Sequence, residues 1–304
     1  MDKQDFNELV SLAMQLPGRA AMRPVVEKEI LHYDIFHALD KEGLLKDLVF
    51  QGGTSLRLCR GSNRFSEDLD FAGGSEFNTG KMQNIKACIE KHIGDRYGLN
   101  VTVKEPKEMA LAPEYEGVKV DKWQVSVETS PDRSDLPRQR IKVEIANIPA
   151  YTRELVPLRS NYDFLLGYNS VLVNTETLDE VMADKVLAFA ASTKNIRYRD
   201  IWDLAWLSQQ GAQLNPAFVE CKVADYHIAD YPALLHSAIE RLPGIVESKP
   251  FKDQMLRFID SDTIEKTINN PQFRDYLVKT VNGLLSTMAA HLAGHEVDEP
   301  QFRM

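Results

Sequence analysis

Asp68 and Asp70 stand two residues apart in Asp68-Leu69-Asp70-Phe71, a segment in which polar and apolar residues alternate. Residues i and i+2 of a β-strand share a face, so the two carboxylates are predicted to project side by side. Adjacent carboxylates repel each other unless a cation neutralises them. Mg²⁺ or Mn²⁺ fits best, because Mg²⁺ needs only one or two carboxylates when substrate phosphates complete its shell.

A glycine turn, Gly52-Gly53-Thr54-Ser55, comes shortly before the aspartates. Glycine lets the backbone approach a phosphate closely, and a helix that follows the turn would offer free N–H groups at its positive end. Thr54 and Ser55 would add hydroxyl donors. The combination predicts a nucleoside triphosphate on the turn and a metal ion between its phosphates and the aspartates. The alternative is an ordinary turn followed by an exposed acidic strand end.

Glu144 is the candidate for a third carboxylate of a two-metal or metal-plus-base site. It lies in an alternating segment, residues 140–145, whose apolar residues would share the buried face. If this strand lies beside the aspartate strand, Glu144 comes close to the metal. The alternative is a solvated strand face on which Glu144 forms a cross-strand ion pair.

Lys185 falls within the apolar stripe of a predicted helix that starts near Thr177, and Asp200 and Asp203 share a face of the next one. A buried lysine requires a phosphate or carboxylate partner, and buried carboxylates require a cation. One interpretation places Lys185 on the triphosphate, with Asp200 or Asp203 positioning it or acting as a base. The alternatives are a lysine that reaches solvent, a structural salt bridge between the two halves of the chain, and an N-cap role for Asp200.

The elements that would position these residues fall into two halves. Strands are predicted near residues 48–50, 68–71, 98–105, 121–129 and 139–148, with helices at 24–42 and 79–93. From residue 177 onward the periodicity is helical, with segments at 177–193, 199–208, 216–224, 231–241 and 271–293. We therefore predict an α/β (α+β) domain with a small mixed sheet over residues 1–170, and an all-α domain over residues 171–304.

Composition narrows the class of protein. No apolar run approaches the roughly 18 residues of a membrane span, and the N-terminus does not resemble a signal peptide. Three widely spaced cysteines, Cys59, Cys88 and Cys221, are more typical of a reduced cytoplasmic protein than of a disulfide framework. The net charge of −9 argues against non-specific nucleic-acid binding but leaves room for a local basic face.

Taken together, these motifs resemble the AbiEii/AbiGii family of abortive-infection toxins, nucleotidyltransferase-like proteins of the DNA polymerase β superfamily. The resemblance spans about residues 24–210. It is carried by residues 52–56, 64–71, 141–144, 185–188 and 199–204.

The resemblance implies that Asp68 and Asp70 bind metal and that Gly53 and Ser55 hold the nucleotide phosphates. It also implies that Lys185 and Asp200 act at the active site, as residues of the helical domain that reach the cleft. Arg64 and Ser66 match polar positions that precede the aspartates in the family. It further implies an RNA acceptor, notably a tRNA end, a cognate antitoxin, and a role in antiviral defence.

The resulting hypothesis is a cytoplasmic enzyme, with no membrane partner, that transfers a nucleotide from an NTP to RNA. Asp68 and Asp70 carry Mg²⁺ or Mn²⁺, and Lys185 adds positive charge. Glu144 or Asp200 orients or deprotonates the acceptor hydroxyl. Two alternatives share these residues: a non-catalytic protein that binds a nucleotide or a partner, and a metal-dependent phosphohydrolase.

Overall fold

The computed structural model describes residues 5–108, 118–133, 135–165 and 167–294. The chain forms two compact units. The first comprises Met1–Thr177 and Leu256–Ile264, and the second comprises Leu178–Met255 and Glu265–Met304.

The first unit is built on a seven-stranded mixed sheet in the order β3-β4-β5-β2-β1-β7-β6. The strands are β1 (Val49–Gln51), β2 (Leu69–Ala72), β3 (Val101–Lys104), β4 (Val120–Val127), β5 (Gln139–Ala146), β6 (Glu154–Pro157) and β7 (Leu172–Thr175). Strand β2 lies at the centre, parallel to β5 and antiparallel to β1. It carries Asp70, so the central strand of the sheet is also the strand of the predicted metal site.

Three helices, α1 (Phe6–Met14), α2 (Arg23–Lys41) and α4 (Ile85–Tyr97), supply the apolar core of this unit together with the sheet. Leu69 and Phe71 point into that core because alternate residues of β2 face the same side. Phe71 packs against Phe36 of α2 and Phe50 of β1. Burial of one face leaves the alternate residues of β2, β4 and β5 on the other.

A short helical segment joins β1 to the approach of β2. It begins as α3 (Gly52–Ser55) and widens into a π-helical turn, Leu56–Arg60. Gly61 ends it in the left-handed conformation, at φ +83°. Such π-helical turns occur frequently at functional sites, and this one connects the glycine turn to the residues that precede the aspartates.

The second unit is helical. Its helices are α5 (Leu178–Ala191), α6 (Tyr198–Gln209), α7 (Pro216–Asp225), α8 (Tyr231–Glu247) and α11 (Pro271–Leu292), while α9 (Lys249–Phe258) and α10 (Ser261–Lys266) each extend into the 256–264 segment of the first unit. Helix α8 continues past Pro243 to Glu247, six residues beyond the predicted end. Buried Leu242, Ile245 and Val246 stabilise that last stretch although proline removes a backbone donor.

The prediction of a mixed α/β half followed by a helical half is confirmed, but the sheet is larger than predicted. Sequence analysis missed β6 and β7, which have four residues each and little alternation, and it missed helices α1, α9 and α10. The cysteines are unpaired, although Cys221 is exposed rather than buried. Among the described residues, no helix has the length and apolarity required to cross a membrane.

Candidate active site

Strand β2 places Asp70 between two neighbours. In the sheet register Asp70 lies opposite Glu144 of β5 on one side and Gln51 of β1 on the other. Leu69 and Phe71 are buried, so the predicted alternation is confirmed. Asp70 and Glu144 therefore occupy adjacent positions on the sheet face that points away from the apolar core.

Asp68 precedes β2 and is held at several points. Its Oδ1 accepts a hydrogen bond from the backbone N–H of Lys142 at 3.0 Å, and the Lys142 Nζ lies 3.8 Å from Oδ2. The backbone carbonyl of Asp68 accepts a hydrogen bond from the Thr54 hydroxyl. The Asp68 side chain is about one-third exposed. Its carboxylate is thus fixed in direction yet accessible to a ligand.

Gly52 closes over the second aspartate. Its φ is +77°, a conformation that L side chains rarely adopt. A Cβ atom at this position would lie 2.9 Å from Asp70 Oδ2. The glycine is therefore required twice, once for the backbone angle and once for the closeness of the carboxylate.

Gly53 contacts the residues that the family resemblance singled out before the aspartates. A Cβ atom at Gly53 would overlap with Arg64 Nη2 and would lie 3.4 Å from Ser66 Oγ. Arg64 is buried, and its Nη1 donates to the backbone carbonyl of Phe65 at 2.7 Å. The turn thus has the Asp70 carboxylate against one glycine and a guanidinium against the next, an arrangement suited to a metal-bound phosphate.

Thr54 and Ser55 are buried, and their hydroxyl groups donate within the protein. Thr54 Oγ1 donates to the Asp68 carbonyl, and Ser55 Oγ donates to the Gly52 carbonyl at 2.8 Å. The two hydroxyls therefore brace the turn against itself and against the aspartate segment. The remaining donors of the turn are backbone N–H groups at the start of the helical segment, where the first turn lacks intrahelical acceptors.

Glu144 combines both interpretations of its strand. It lies beside Asp70 in the register, and its Oε1 is 3.4 Å from Lys122 Nζ on β4. Both side chains of this pair are about one-fifth exposed. The cross-strand ion pair exists, and it stands next to the predicted metal site. Whether Glu144 also ligates a metal stays a prediction.

The residues present fit a divalent cation of the Mg²⁺ type. Within the part of the chain that the structure describes, no three His, Cys, Asp or Glu side chains are gathered to hold a metal by themselves. Two neighbouring carboxylates completed by phosphate oxygens match Mg²⁺, which keeps only one or two protein carboxylates in such sites. The close approach of Gly52 to Asp70 leaves room for phosphate where a side chain would otherwise stand.

Two of the three arginines near the turn have structural partners. Arg57 forms a buried bidentate pair with Glu29 of α2, with N–O distances of 2.6 and 3.0 Å. Arg60 pairs with Glu154 and donates to Thr175 Oγ1 at 2.9 Å. These two arginines stabilise the unit, whereas Arg64 is the one that lies against the glycine turn.

Sequence analysis missed His32, which lies in the middle of α2. It is 1% exposed, and its Nε2 is 3.0 Å from the backbone carbonyl of Glu67, the residue before Asp68. Burial lowers the pKa of His32 to about 4, so the ring is neutral at pH 7 and Nε2 donates to that carbonyl. Hydrogen bonds from His32 and Thr54 thus fix consecutive carbonyls around Asp68. No local sequence pattern indicates this contact, which spans 35 residues.

In the second unit, Lys185 of α5 lies between the two predicted aspartates of α6. Its Nζ is 2.7 Å from Asp200 Oδ1 and 2.9 Å from Asp203 Oδ2. All three side chains are almost wholly buried. The prediction that the buried lysine has carboxylate partners is confirmed. Because both aspartates contact it, their spacing alone does not choose between them.

Asp200 differs from Asp203 in having a second cation. Arg197 Nε lies 2.5 Å from Asp200 Oδ2, and the Arg197 side chain is half-exposed. Burial alone would raise the pKa of Asp200, but Arg197 and Lys185 together hold it below its ordinary value. Asp200 is therefore an ionised carboxylate with one cationic neighbour at the surface.

A second buried lysine was also missed. Lys222 of α7 is fully buried, with its Nζ 2.9 Å from Glu180 and 2.7 Å from Asp184. Both partners lie on α5, the helix that carries Lys185. This triad links α5 to α7 and gives the second unit a charged core next to the Lys185 triad.

The fold is similar to that of solved nucleotidyltransferases. MenT4, a nucleotidyltransferase toxin of Mycobacterium tuberculosis H37Rv, matches with a TM-score of 0.54 and 16% identity, covering 94% of this chain and 99% of MenT4. A putative nucleotidyltransferase from H. pylori matches with a TM-score of 0.42 and 17% identity, covering 90% of this chain and 98% of that one. JHP933 of Helicobacter pylori has the same TM-score and identity over 89% and 94% of the two chains. No curated protein sequence matches.

The family comparison covers most of the chain. The family model for the nucleotidyl transferase AbiEii toxin of type IV toxin–antitoxin systems matches residues 34–279. That range contains the glycine turn, both aspartates of the first unit and the Lys185 triad of the second. The chain therefore belongs to the AbiEii family of nucleotidyltransferase toxins.

Proposed function

We propose that this toxin transfers a nucleoside monophosphate from an NTP to a hydroxyl group of RNA, with a divalent cation on Asp68 and Asp70. The observation that carries the proposal is the glycine turn. Gly52 stands against the Asp70 carboxylate and Gly53 against the Arg64 guanidinium. One short backbone segment therefore has a metal ligand and a phosphate ligand on adjacent residues.

Each residue of the first unit has a role that follows from its position. Mg²⁺ or Mn²⁺ supplies charge neutralisation at the α-phosphate and at the departing pyrophosphate. Arg64 and the backbone N–H groups of the turn hold the triphosphate, while Ser66, Thr54 and Ser55 brace them. Glu144, beside Asp70, is placed to ligate the cation or to accept the proton of the attacking hydroxyl.

The second unit is proposed to contribute Lys185 and Asp200. Lys185 provides positive charge for the phosphates, and Asp200 holds its ammonium group at 2.7 Å. We favour Asp200 over Asp203 as the functional carboxylate because Asp200 also contacts the half-exposed Arg197, whereas Asp203 is fully buried. The family resemblance supports the same assignment.

The acceptor, partner and location are proposed from the family. RNA, notably a tRNA end, is the proposed acceptor, and the cytoplasm, where NTPs and tRNA occur, is the proposed location. The type IV toxin–antitoxin family implies a cognate antitoxin. Inhibition of growth through modified RNA would serve in defence against phage.

The test is transfer of label from each NTP to total RNA in the presence of Mg²⁺. Asp70→Asn keeps the size of the side chain but removes its charge. Loss of several kcal/mol of charge stabilisation should reduce transfer by a factor of about 10² to 10³. Asp132→Asn, an exposed position in the β4–β5 connection, is the matched control and should retain full activity.

The products distinguish the outcomes. Label in a discrete RNA species, lost with chelator and with Asp70→Asn, supports the proposal and identifies the acceptor and the preferred base. Release of inorganic phosphate without labelled RNA would instead indicate a phosphohydrolase. Full activity of Asp70→Asn, with its melting temperature unchanged, would refute the metal site.

A further inference from the structure

The open face of strands β3, β4 and β5 forms a row of basic residues that begins at the aspartates. In the register Lys104 of β3 lies opposite Gln124 of β4, and Gln124 lies opposite Lys142 of β5. Because Leu69 pairs with Val143, the same row continues to Asp68, whose carboxylate contacts Lys142. A polar path thus crosses the sheet from its edge strand to the predicted metal site.

Neighbouring rows have the same character. Lys122 shares its row with Glu144 and Asp70, and Arg140 shares its row with Ser126 and Thr102. Lys104, Arg140 and Lys142 are exposed, and Lys122 is partly exposed. Apart from the two aspartates, Glu144 is the acidic residue of this face within the described parts of β3, β4 and β5. We call the set Lys104, Lys122, Arg140 and Lys142 the basic face.

We propose that the basic face binds the phosphodiester backbone of the acceptor RNA strand and leads its reactive end to Asp68 and Asp70. This inference rests on the proposed transfer to RNA and adds the surface that selects the acceptor. Charge complementarity argues for it, because the chain carries a net charge of −9 and yet concentrates cations here. Lysine and arginine contacts to phosphate position a strand without reading its sequence.

The dimensions suit a short single strand. Strands lie about 4.8 Å apart, so the Lys104 position on β3 stands about 14 Å from the Asp68 position, three strands away. At about 3.4 Å per stacked nucleotide, this distance corresponds to roughly four nucleotides. The basic face is therefore long enough to hold the last few nucleotides before a reacting terminus.

The experiment neutralises the two basic residues that lie farthest from the aspartates, in the double variant Lys104→Gln/Arg140→Gln. The matched control is Lys81→Gln/Lys91→Gln, which removes the same charge from exposed positions on or before helix α4, on the other side of the sheet. Transfer kinetics are measured with bulk tRNA as the acceptor, at salt concentrations from about 0.05 to 0.3 M, a range over which phosphate contacts weaken measurably.

Two phosphate contacts to a single strand contribute about 1.4 to the log–log salt slope, which corresponds to about a 25-fold change at 0.1 M salt. We expect the KM for tRNA to rise by about that factor in the double variant. The KM for NTP and the kcat at saturating tRNA should stay unchanged. The control variant should match wild type in all three constants and in melting temperature.

The outcomes separate this inference from the proposed function. If wild type labels no RNA, the proposed function fails and the basic face loses its ligand. If wild type labels RNA but the double variant keeps the wild-type KM and salt slope, only the basic face is refuted. A rise in the KM for NTP alone would assign these residues to the triphosphate, and an equal effect in the control would reduce the result to net charge.

Discussion

Replacement of Gly52 by alanine tests the geometry of the site more directly than removal of an aspartate. The new Cβ would stand 2.9 Å from Asp70 Oδ2, so the carboxylate has to move by about 0.5 Å to reach an ordinary van der Waals separation. A displacement of 1 Å at a catalytic group can cost about 10²-fold in rate, and half of that corresponds to about tenfold. The backbone, at φ +77°, adds a strain of about 1–2 kcal/mol.

Gly74→Ala provides the control because it carries the same strain without the contact. Gly74 has a φ of +79°, and among the described residues no heavy atom beyond its chain neighbours lies within 4 Å of the point that a Cβ would occupy. Each variant should lose about 1–2 kcal/mol of stability, which lowers the melting temperature by about 2–8 °C. Only Gly52→Ala should lose transfer activity and weaken Mn²⁺ binding, measured by isothermal titration.

Equal behaviour of the two variants would refute this reasoning. If Gly52→Ala and Gly74→Ala retain equal activity and equal Mn²⁺ affinity, the Asp70 carboxylate is not held at the metal by the glycine turn. If both lose activity in proportion to their loss of stability, the effect belongs to the fold. Activity is therefore measured well below both melting temperatures.

Three further predictions concern the contacts around the two groups of charges. Thr54→Val leaves the Asp68 carbonyl without its donor and should cost about 1–3 kcal/mol in urea unfolding, with weaker Mn²⁺ binding than Thr79→Val. Lys185→Met leaves two buried carboxylates uncompensated and should cost about 3–5 kcal/mol; wild-type stability would contradict the triad. Because the folded pKa of Asp200 is lowered, its contribution is complete above about pH 4 and is lost as the pH falls through the folded value. Asp200→Asn should therefore flatten the acid side of the stability profile, and an unchanged profile would contradict this assignment.

The parts of the site that were predictable from sequence are those set by local spacing. The alternation of Asp68 and Asp70 with apolar neighbours determines which side chains share a face of β2, and the structure has that arrangement. The apolar surroundings of Lys185 likewise predict a buried lysine with a charged partner. In both cases the pattern acts within one element, where backbone geometry decides the outcome.

Contacts between distant segments were not predictable in this way. His32 and Glu67 meet across 35 residues, and Lys222 meets Glu180 across 42, with no periodicity to connect them. In the case of Arg64, sequence indicated a polar residue near the site but not that its guanidinium lies on Gly53. Such contacts depend on tertiary packing, which places elements against each other after their local faces have been set.

Strand register decides what the open face of the sheet can bind. Strand β5 pairs with β2 in parallel so that Glu144 stands beside Asp70, and with β4 so that Lys142 stands beside Gln124. A shift of one residue in β5 would move Val143 onto the open face beside Asp70 and would bury Lys142 and Glu144. The buried face therefore enforces the register, because burial of two charged side chains costs far more than the shift could return. The same apolar residues that stabilise the sheet thus hold the third carboxylate and the basic face in line with the aspartates. A conservative change on the buried face, such as Val143→Thr, should consequently reduce transfer through lower stability alone and leave the KM for tRNA unchanged.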